Sequence, residues 1–117
     1  MARRDLSGAL DVEVLERFTQ GDVGVMDEVL GLFQEQAGMW SAMLDAREAG
    51  WRDAVHTLKG SAAGVGAHDL AQACASAETA EKELLPARLG AVHDALDRTL
   101  ADVAAFRHEL ALRSLRG

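Results

Sequence analysis

The sequence predicts an all-α protein, an antiparallel up-down four-helix bundle with an additional short helix at its N-terminus. Three observations predict this class. Hydrophobic residues make up 49% of the 117 residues but aromatic residues only 4%, whereas strands are rich in aromatic and β-branched side chains. The chain has one proline and no tyrosine, so strand and turn signals are sparse. Apolar residues recur three and four positions apart, which is the spacing of an amphipathic helix.

The first two predicted helices lie in the N-terminal half of the chain. A short helix from Asp11 to Gln20 carries three apolar residues on one face and ends at Gly21: Val12, Leu15 and Phe18. Asp22 is a suitable N-cap for a long second helix, which we expect to run to about Ala49, with Gly50 just after its C-terminus. The apolar residues of this second helix follow helical spacing: Val25, Met26, Val29, Leu30, Phe33, Ala37, Trp40, Met43 and Leu44.

The third and fourth helices follow closely. The third begins at about Trp51 and ends at Gly64 and Gly66, with these residues on its inner side: Trp51, Ala54, Val55, Leu58, Ala62 and Val65. The fourth begins at Ala67 or His68, ends in the charged run 81–83, and has four inner residues: Leu70, Ala73, Cys74 and Ala77. Short connections between such helices favour antiparallel neighbours.

The last helix begins near Pro86, because proline suits the first turn of a helix. A long apolar stripe follows: Leu89, Val92, Leu96, Leu100, Val103, Phe106 and Leu110. A chain of this length fits one domain. We therefore expect a single domain over residues 1–117, with frayed ends at 1–7 and about 113–117.

Charge and composition exclude several classes of function. The formal net charge is −7, which argues against nucleic-acid binding, since that requires a basic surface. Cys74 is the only cysteine, so an intrachain disulfide and a cysteine zinc cluster are excluded. We find no signal peptide and no apolar run long enough for a membrane span, so we expect a cytoplasmic protein. A metal site in a helical bundle uses Glu-x-x-His pairs on facing helices. The sequence has one similar spacing, at residues 53–56, so we expect no bound metal or cofactor.

The candidate functional residue is His56 in the third predicted helix. Lys59 and Gly60 lie three and four positions after it, so they share its helical face. The imidazole would then have a cation on one side and no side chain on the other. Glycine in a helix interior costs about 0.5–1 kcal/mol relative to alanine, which indicates a close approach at Gly60. For Ser61 we expect a hydrogen bond to a carbonyl one turn earlier.

The motif from His56 to Gly66, HTLKGSAAGVG, resembles the signature of histidine-containing phosphotransfer domains of bacterial and eukaryotic phosphorelays. The resemblance extends from about Asp11 to Leu110. Further residues are similar to the family at corresponding places: Leu70, Cys74, Glu78, the segment Leu32–Glu35 and the turn Ala49–Trp51.

The resemblance implies a helical bundle with one phosphorylatable, exposed histidine and no kinase activity of its own. Such domains accept a phosphoryl group from an aspartyl phosphate on one receiver domain and pass it to the aspartate of another. Carried over to this sequence, His56 is the phosphoacceptor, Lys59 offsets the phosphoryl charge and Gly60 leaves the receiver room to approach. Ser61 has a supporting role. Glu78, where the family often has a polar residue, has a structural or ring-orienting role.

The expected partners are receiver domains, one of a hybrid sensor kinase and one of a response regulator, with Mg²⁺ on the receiver rather than on this chain. We expect a monomer, since the histidine must serve both receivers. The exposed side of the first helix and of the early second helix is expected to form a partly apolar docking patch, including Val14, Phe18 and Met26. Burial of Phe18 in the core is an equal alternative.

Two other functions stay open at this stage. The histidine motif is very similar in the phosphorylatable module of chemotaxis-type kinases, where an ATP-bound kinase domain supplies the phosphoryl group. A non-catalytic helical adaptor with an incidental histidine is the second alternative. By contrast, we expect no nucleotide-binding loop, because residues 60–66 lack the Gly-Lys-Ser/Thr ending and a preceding strand.

Overall fold

The computed structural model describes residues 8–116 of the chain, and within them it contains five helices and no strand. The helices are α1 (Val12–Thr19), α2 (Val23–Ser41), α3 (Trp51–Val65), α4 (His68–Glu78) and α5 (Leu85–Arg116). Helices α2 to α5 form a bundle in which α3 packs on α2 and α4, and α5 packs on α4 and α2. Helix α1 packs on α3 and α2. The predicted class, a four-helix bundle with an additional short N-terminal helix, is confirmed.

Helices α1 and α2 begin where the sequence predicts, each after an aspartate whose side chain caps the helix. The cap at Asp22 was predicted, and the cap at Asp11 is added by the structure. The carboxylate of Asp11 accepts a hydrogen bond from the backbone N–H of Glu13 at 3.1 Å. Asp22 accepts one from the backbone N–H of Val25 at 3.0 Å. Each contact satisfies a donor that the first turn of a helix otherwise leaves without a partner.

Helix α2 ends at Ser41, so the predicted extension to about Ala49 is wrong. Two local contacts explain the early end. Leu44 turns into the core, and its carbonyl accepts a hydrogen bond from Nε2 of His93 at 3.0 Å. Asp45 accepts hydrogen bonds from the backbone and side chain of Arg47, which competes with helical pairing. Gly50 precedes α3 as its N-cap residue instead of following α2.

The core lies along the inner faces of the four bundle helices and confirms most of the predicted apolar stripe of α5. Six of its seven residues are buried, and Leu100 is partly buried. Met26 is also in the core, one and two turns from the buried residues Leu30 and Phe33 on the same face of α2. The prediction that Met26 belongs to an exposed docking patch is therefore wrong.

Helix α5 continues to Arg116, through most of the C-terminal segment that the sequence predicts to be frayed. Arg113 supports this last part, since its guanidinium pairs with Glu109 one turn earlier and lies 5.6 Å from the centre of the Phe106 ring. Such i, i+4 pairs stabilise helices. The predicted fraying at 1–7 and at residue 117 lies outside the described residues.

Arg107 joins α5 to α2 through a forked contact. Its Nε and Nη2 donate to the two carboxylate oxygens of Asp27 at 2.7 and 3.2 Å, and its Nη1 donates to Oε1 of Gln34 at 2.6 Å. Gly31 lies beneath the guanidinium, where a Cβ would come within 3.4 Å of Nη1 and Nη2. The hydrogen bonds from Arg107 hold the pKa of Asp27 below its ordinary value.

We expect Arg107→Gln to lower the free energy of unfolding by about 0.5–1 kcal/mol, the range of well-formed surface ion pairs. Because the folded-state pKa of Asp27 is lowered, its contribution is present above the unfolded pKa of about 4 and is lost as pH falls through the lowered value. Urea denaturation at pH 7 and at acid pH measures both effects, with the exposed Arg98→Gln as control. A difference between wild type and Arg107→Gln that does not shrink in acid would contradict this assignment.

Candidate functional site

Three residues of α3 meet the last residue of α4. Nδ1 of His56 lies 2.9 Å from Oε2 of Glu78, and Nζ of Lys59 contacts Oε1 of the same carboxylate. One turn before His56, Nη1 of Arg52 donates to the backbone oxygen of Glu78 at 3.1 Å. The three α3 residues follow one helical stripe, with spacings of four and three. Glu78 thus brings together two of the predicted site residues, His56 and Lys59, and adds Arg52, which the sequence analysis did not single out.

The imidazole of His56 is open to solvent, while the carboxylate beneath it is mostly covered. The His56 side chain is 69% exposed and that of Glu78 is 18% exposed. Since an ionised carboxylate only accepts hydrogen bonds, Nδ1 of His56 carries the hydrogen and donates it. In the neutral ring Nε2 then holds an unprotonated lone pair. The structure thus presents an oriented imidazole with one available nitrogen.

Glu78 is kept in its charged form by the same contacts. The hydrogen bond from Lys59 and then the one from His56 hold the pKa of Glu78 below its ordinary value. In return, the charge of Lys59 is matched by this carboxylate. Lys59 is therefore an ion-pair partner of Glu78, and its role in offsetting a phosphoryl charge stays a prediction.

Gly60 and Ser61 lie on different sides of α3. Gly60 is exposed, and a Cβ built there would meet no atom within 4 Å outside its own helix. The surface next to His56 is therefore open. Ser61 is half-buried toward α2, and its hydroxyl donates to Oε1 of Gln36 at 3.2 Å. The predicted bond from Ser61 to a carbonyl one turn earlier is wrong, because a side-chain acceptor on α2 is within reach.

An apolar groove lies between α1, α2 and α3. It has a volume of about 210 Å³ and is lined by Phe18, Val29, Leu32, Phe33, Gln36, Ser61, Gly64 and Val65. Gly64 lies two turns after His56 on α3. The groove thus borders the same helix as His56, at the part of α3 that follows the imidazole.

Exposed apolar side chains border this groove. Phe18 is 68% exposed and Leu32 is 60% exposed, while Val14 is half-buried on α1. Of the residues predicted for the docking patch, Phe18 is thus exposed and not in the core, Met26 is buried, and docking itself stays a prediction. Leu32 was not among the residues predicted for the docking patch. The sequence does contain a signal for it, because Leu32 is a large apolar residue outside the stripe that defines the inner face of α2. Large apolar side chains that stay exposed beside a groove are typical of binding surfaces.

Other candidate chemistry is absent from the part of the chain that the structure describes. Residues 8–116 contain no group of three His, Cys, Asp or Glu residues that could hold a metal ion. None of their helices combines the length and apolar character needed to cross a membrane.

Two other potentially reactive side chains are held by their surroundings. Burial raises the pKa of the Cys74 thiol to about 12, so this thiol stays protonated and is a poor nucleophile. His68 pairs with Asp11 at 3.0 Å, which joins α4 to the start of α1.

Comparison with known protein families decides the family of this chain. The model of the Hpt domain matches residues 12–103, from the start of α1 well into α5. The chain belongs to the Hpt domain family. Membership assigns to this Hpt domain a role in histidine phosphotransfer within phosphorelays and implies interaction with receiver domains.

A solved structure agrees with this assignment. The Hpt domain is similar to the crystal structure of histidine phosphotransferase ShpA from Caulobacter crescentus, with 51% sequence identity and a TM-score of 0.81. The similarity covers 92% of this chain and 99% of ShpA. Among curated proteins, none matches the sequence. The shared helical bundle thus extends over nearly the full length of both chains.

Proposed function

We propose that His56 is the phosphoacceptor of this Hpt domain, and that it takes a phosphoryl group from the aspartyl phosphate of one receiver and passes it to the aspartate of another. One observation carries this proposal: the exposed ring of His56 donates its Nδ1 hydrogen to Glu78, which leaves Nε2 as an accessible nucleophile. The similarity to a histidine phosphotransferase supports it. The expected donor receiver belongs to a hybrid sensor kinase and the acceptor receiver to a response regulator.

The transfer needs little from this chain beyond an oriented nitrogen. The Nε2 lone pair forms a bond to phosphorus while the bond from phosphorus to the aspartyl oxygen breaks, and the electron pair leaves with the aspartate carboxylate. The ring, still protonated at Nδ1, becomes cationic, and the Glu78 carboxylate 2.9 Å away stabilises that charge. Phosphoryl transfer is mostly positioning and charge neutralisation. We expect the required Mg²⁺ on the receiver.

The surroundings of His56 suit a receiver that must reach this nitrogen. Gly60 leaves the helix face next to the ring open, and the groove between α1, α2 and α3 offers apolar surface farther along the same helix. We propose that the receiver packs on Phe18 and Leu32 while its aspartate meets His56. A monomer gives each receiver access to this surface, and a cytoplasmic location stays a prediction of the sequence.

A phosphotransfer assay tests the proposed relay. The purified chain is mixed with a receiver carrying a labelled aspartyl phosphate and Mg²⁺, and the label is followed as an acid-labile, alkali-stable product on this chain. We expect the chain to gain label and to pass it to a second receiver. No label with several receivers would favour the adaptor, and labelling by a separate ATP-bound kinase domain without a receiver would favour the chemotaxis-type module.

The docking surface gives a separate prediction. We expect Phe18→Ser with Leu32→Ser to lower kcat/KM for transfer by about 10-fold or more, since burying one large apolar side chain contributes about 1.5–3 kcal/mol. The free energy of unfolding should change little, because both side chains are exposed in the free protein. Leu115→Ser, at an equally apolar exposed position near the end of α5, is the matched control. Equal transfer rates for the double variant and the control would rule out this surface.

A further inference from the structure

Arg52 is a second cation beside His56, and the phosphotransfer motif does not include it. It lies one turn before His56 on α3, whereas Lys59 lies about one turn after it. Side chains three or four positions apart are neighbours on a helix. The imidazole therefore has a positively charged side chain on each flank, and both contact Glu78.

The two cations differ in how their charge is balanced. The ammonium of Lys59 contacts the carboxylate of Glu78, so these two charges offset each other. Arg52 donates to the backbone oxygen of Glu78, which is uncharged, and its guanidinium lies 4.7 Å from the centre of the Trp51 ring. Neither contact supplies a negative charge. At the site formed by His56, Lys59, Glu78 and Arg52, the positive charge of Arg52 is the one left over.

A phosphoryl group on Nε2 would add about −1.5 to −2 charges at pH 7, by analogy with phosphorylated side chains. The cationic ring offsets about one of these charges and Lys59 is matched by Glu78, so the remaining negative charge needs another cation. A guanidinium suits this task, because its planar fork can donate several hydrogen bonds to phosphoryl oxygens. The contacts to Glu78 and Trp51 also restrict the Arg52 side chain before the phosphoryl group arrives, which lowers the entropy lost on binding.

We infer that Arg52 is the phosphoryl-binding cation of this site, and that Lys59 acts mainly by holding Glu78 against His56. This inference rests on the proposed function, in which His56 carries the phosphoryl group. It departs from the role that the sequence motif assigns to Lys59. Arg52 would contact the phosphoryl oxygens only in the phosphorylated state, and would return to the Glu78 carbonyl after transfer.

The test uses the full chain phosphorylated chemically with phosphoramidate, which requires no receiver. The phosphohistidine of residue 56 is identified by the ³¹P NMR signal that is missing in His56→Gln, and the phosphoryl pKa is read from its titration. A nearby cation favours the dianion and lowers that pKa. We therefore expect Arg52→Gln to raise the phosphoryl pKa by about 0.5 unit in this exposed setting, and Arg52→Lys to restore part of the shift.

Arg98→Gln, which removes the same charge from an exposed position on α5, is the matched control and should leave the titration unchanged. With a receiver present, the phosphoryl group is distributed between His56 and the receiver aspartate. Arg52→Gln should shift this equilibrium about threefold toward the receiver, because a pKa change of about 0.5 unit corresponds to a factor of about three. A titration in Arg52→Gln identical to wild type, or an equal shift in Arg98→Gln, would overturn the inference. Chemical labelling of His56 without any exchange with receivers would instead overturn the proposed relay and leave the titration readable.

Discussion

His56→Gln should remove all detectable phosphoryl transfer, a loss we expect to exceed about 10³-fold, because the only nucleophilic nitrogen offered by the site is lost. A glutamine amide has no basic lone pair on nitrogen, yet its N–H can still donate to the Glu78 carboxylate. The variant should therefore keep the fold and the contact between α3 and α4. Acid-labile label on the chain after incubation with a phosphorylated receiver is the measurement.

The control for this experiment is another exposed histidine. His68 lies at the start of α4 and pairs with Asp11 at 3.0 Å, on a different part of the surface from the contacts of His56. His68→Gln should therefore accept label at the wild-type rate. Label that survives in His56→Gln, or that disappears in His68→Gln alone, would show that the phosphoacceptor is misassigned.

Gly66→Ala should lower the free energy of unfolding by about 3 kcal/mol, a large part of the roughly 5–15 kcal/mol typical of a domain. Gly66 ends α3 with φ of 82°, and a residue with a Cβ costs about 1–2 kcal/mol in that conformation. The new Cβ would also overlap the carbonyl oxygen of Asp11 and come within 3.1 Å of Cβ of Val14. Helix α1 would have to move away, with loss of the 2.8 Å hydrogen bond from Asp11 N–H to the Gly66 carbonyl.

Gly64→Ala is the matched control for this substitution. Gly64 lies within α3, and a Cβ there meets no atom within 4 Å outside its helix. The change should raise the free energy of unfolding by about 0.5–1 kcal/mol, the helix preference of alanine over glycine. Urea denaturation of both variants gives the comparison. A loss below about 0.5 kcal/mol in Gly66→Ala would contradict the close packing of α1 against the end of α3.

The displacement of α1 in Gly66→Ala has a functional consequence. Phe18 is on α1 and lines the groove that we propose as the docking surface for receivers. A chain whose α1 has moved should therefore transfer phosphoryl groups to receivers more slowly, even under conditions where the bundle stays folded. His56 should still react with phosphoramidate, since its contact with Glu78 involves α3 and α4 alone.

Much of the fold was predictable because its signals are local. Asp11 and Asp22 are capping residues followed by apolar residues at helical spacing, and both start helices as predicted. The end of α2 was not predictable in this way. Helical spacing continues through Met43 and Leu44, but Leu44 is held by His93 of α5, a contact that the local pattern does not contain.

In the candidate site, too, local features were predictable from the sequence and contacts between helices were not. The spacing of His56, Lys59 and Gly60 on one helical face follows from the sequence, and so does the resemblance that it carries. The partner of each side chain does not. Ser61 bonds to Gln36 on α2, and Lys59 bonds to Glu78 on α4, because side chains that protrude from a helix are paired by whichever helix packs beside them.

The sequence by itself determined the helical class, the starts of the first helices and the histidine that we propose as phosphoacceptor, since periodicity, caps and a contiguous motif are properties of neighbouring residues. Only the tertiary structure decided that Glu78 joins Arg52, His56 and Lys59, that Leu32 rather than Met26 borders the groove with Phe18, and that Gly66 lies against Asp11. These contacts join residues far apart in the chain, and the packing of whole helices determines which side chains meet.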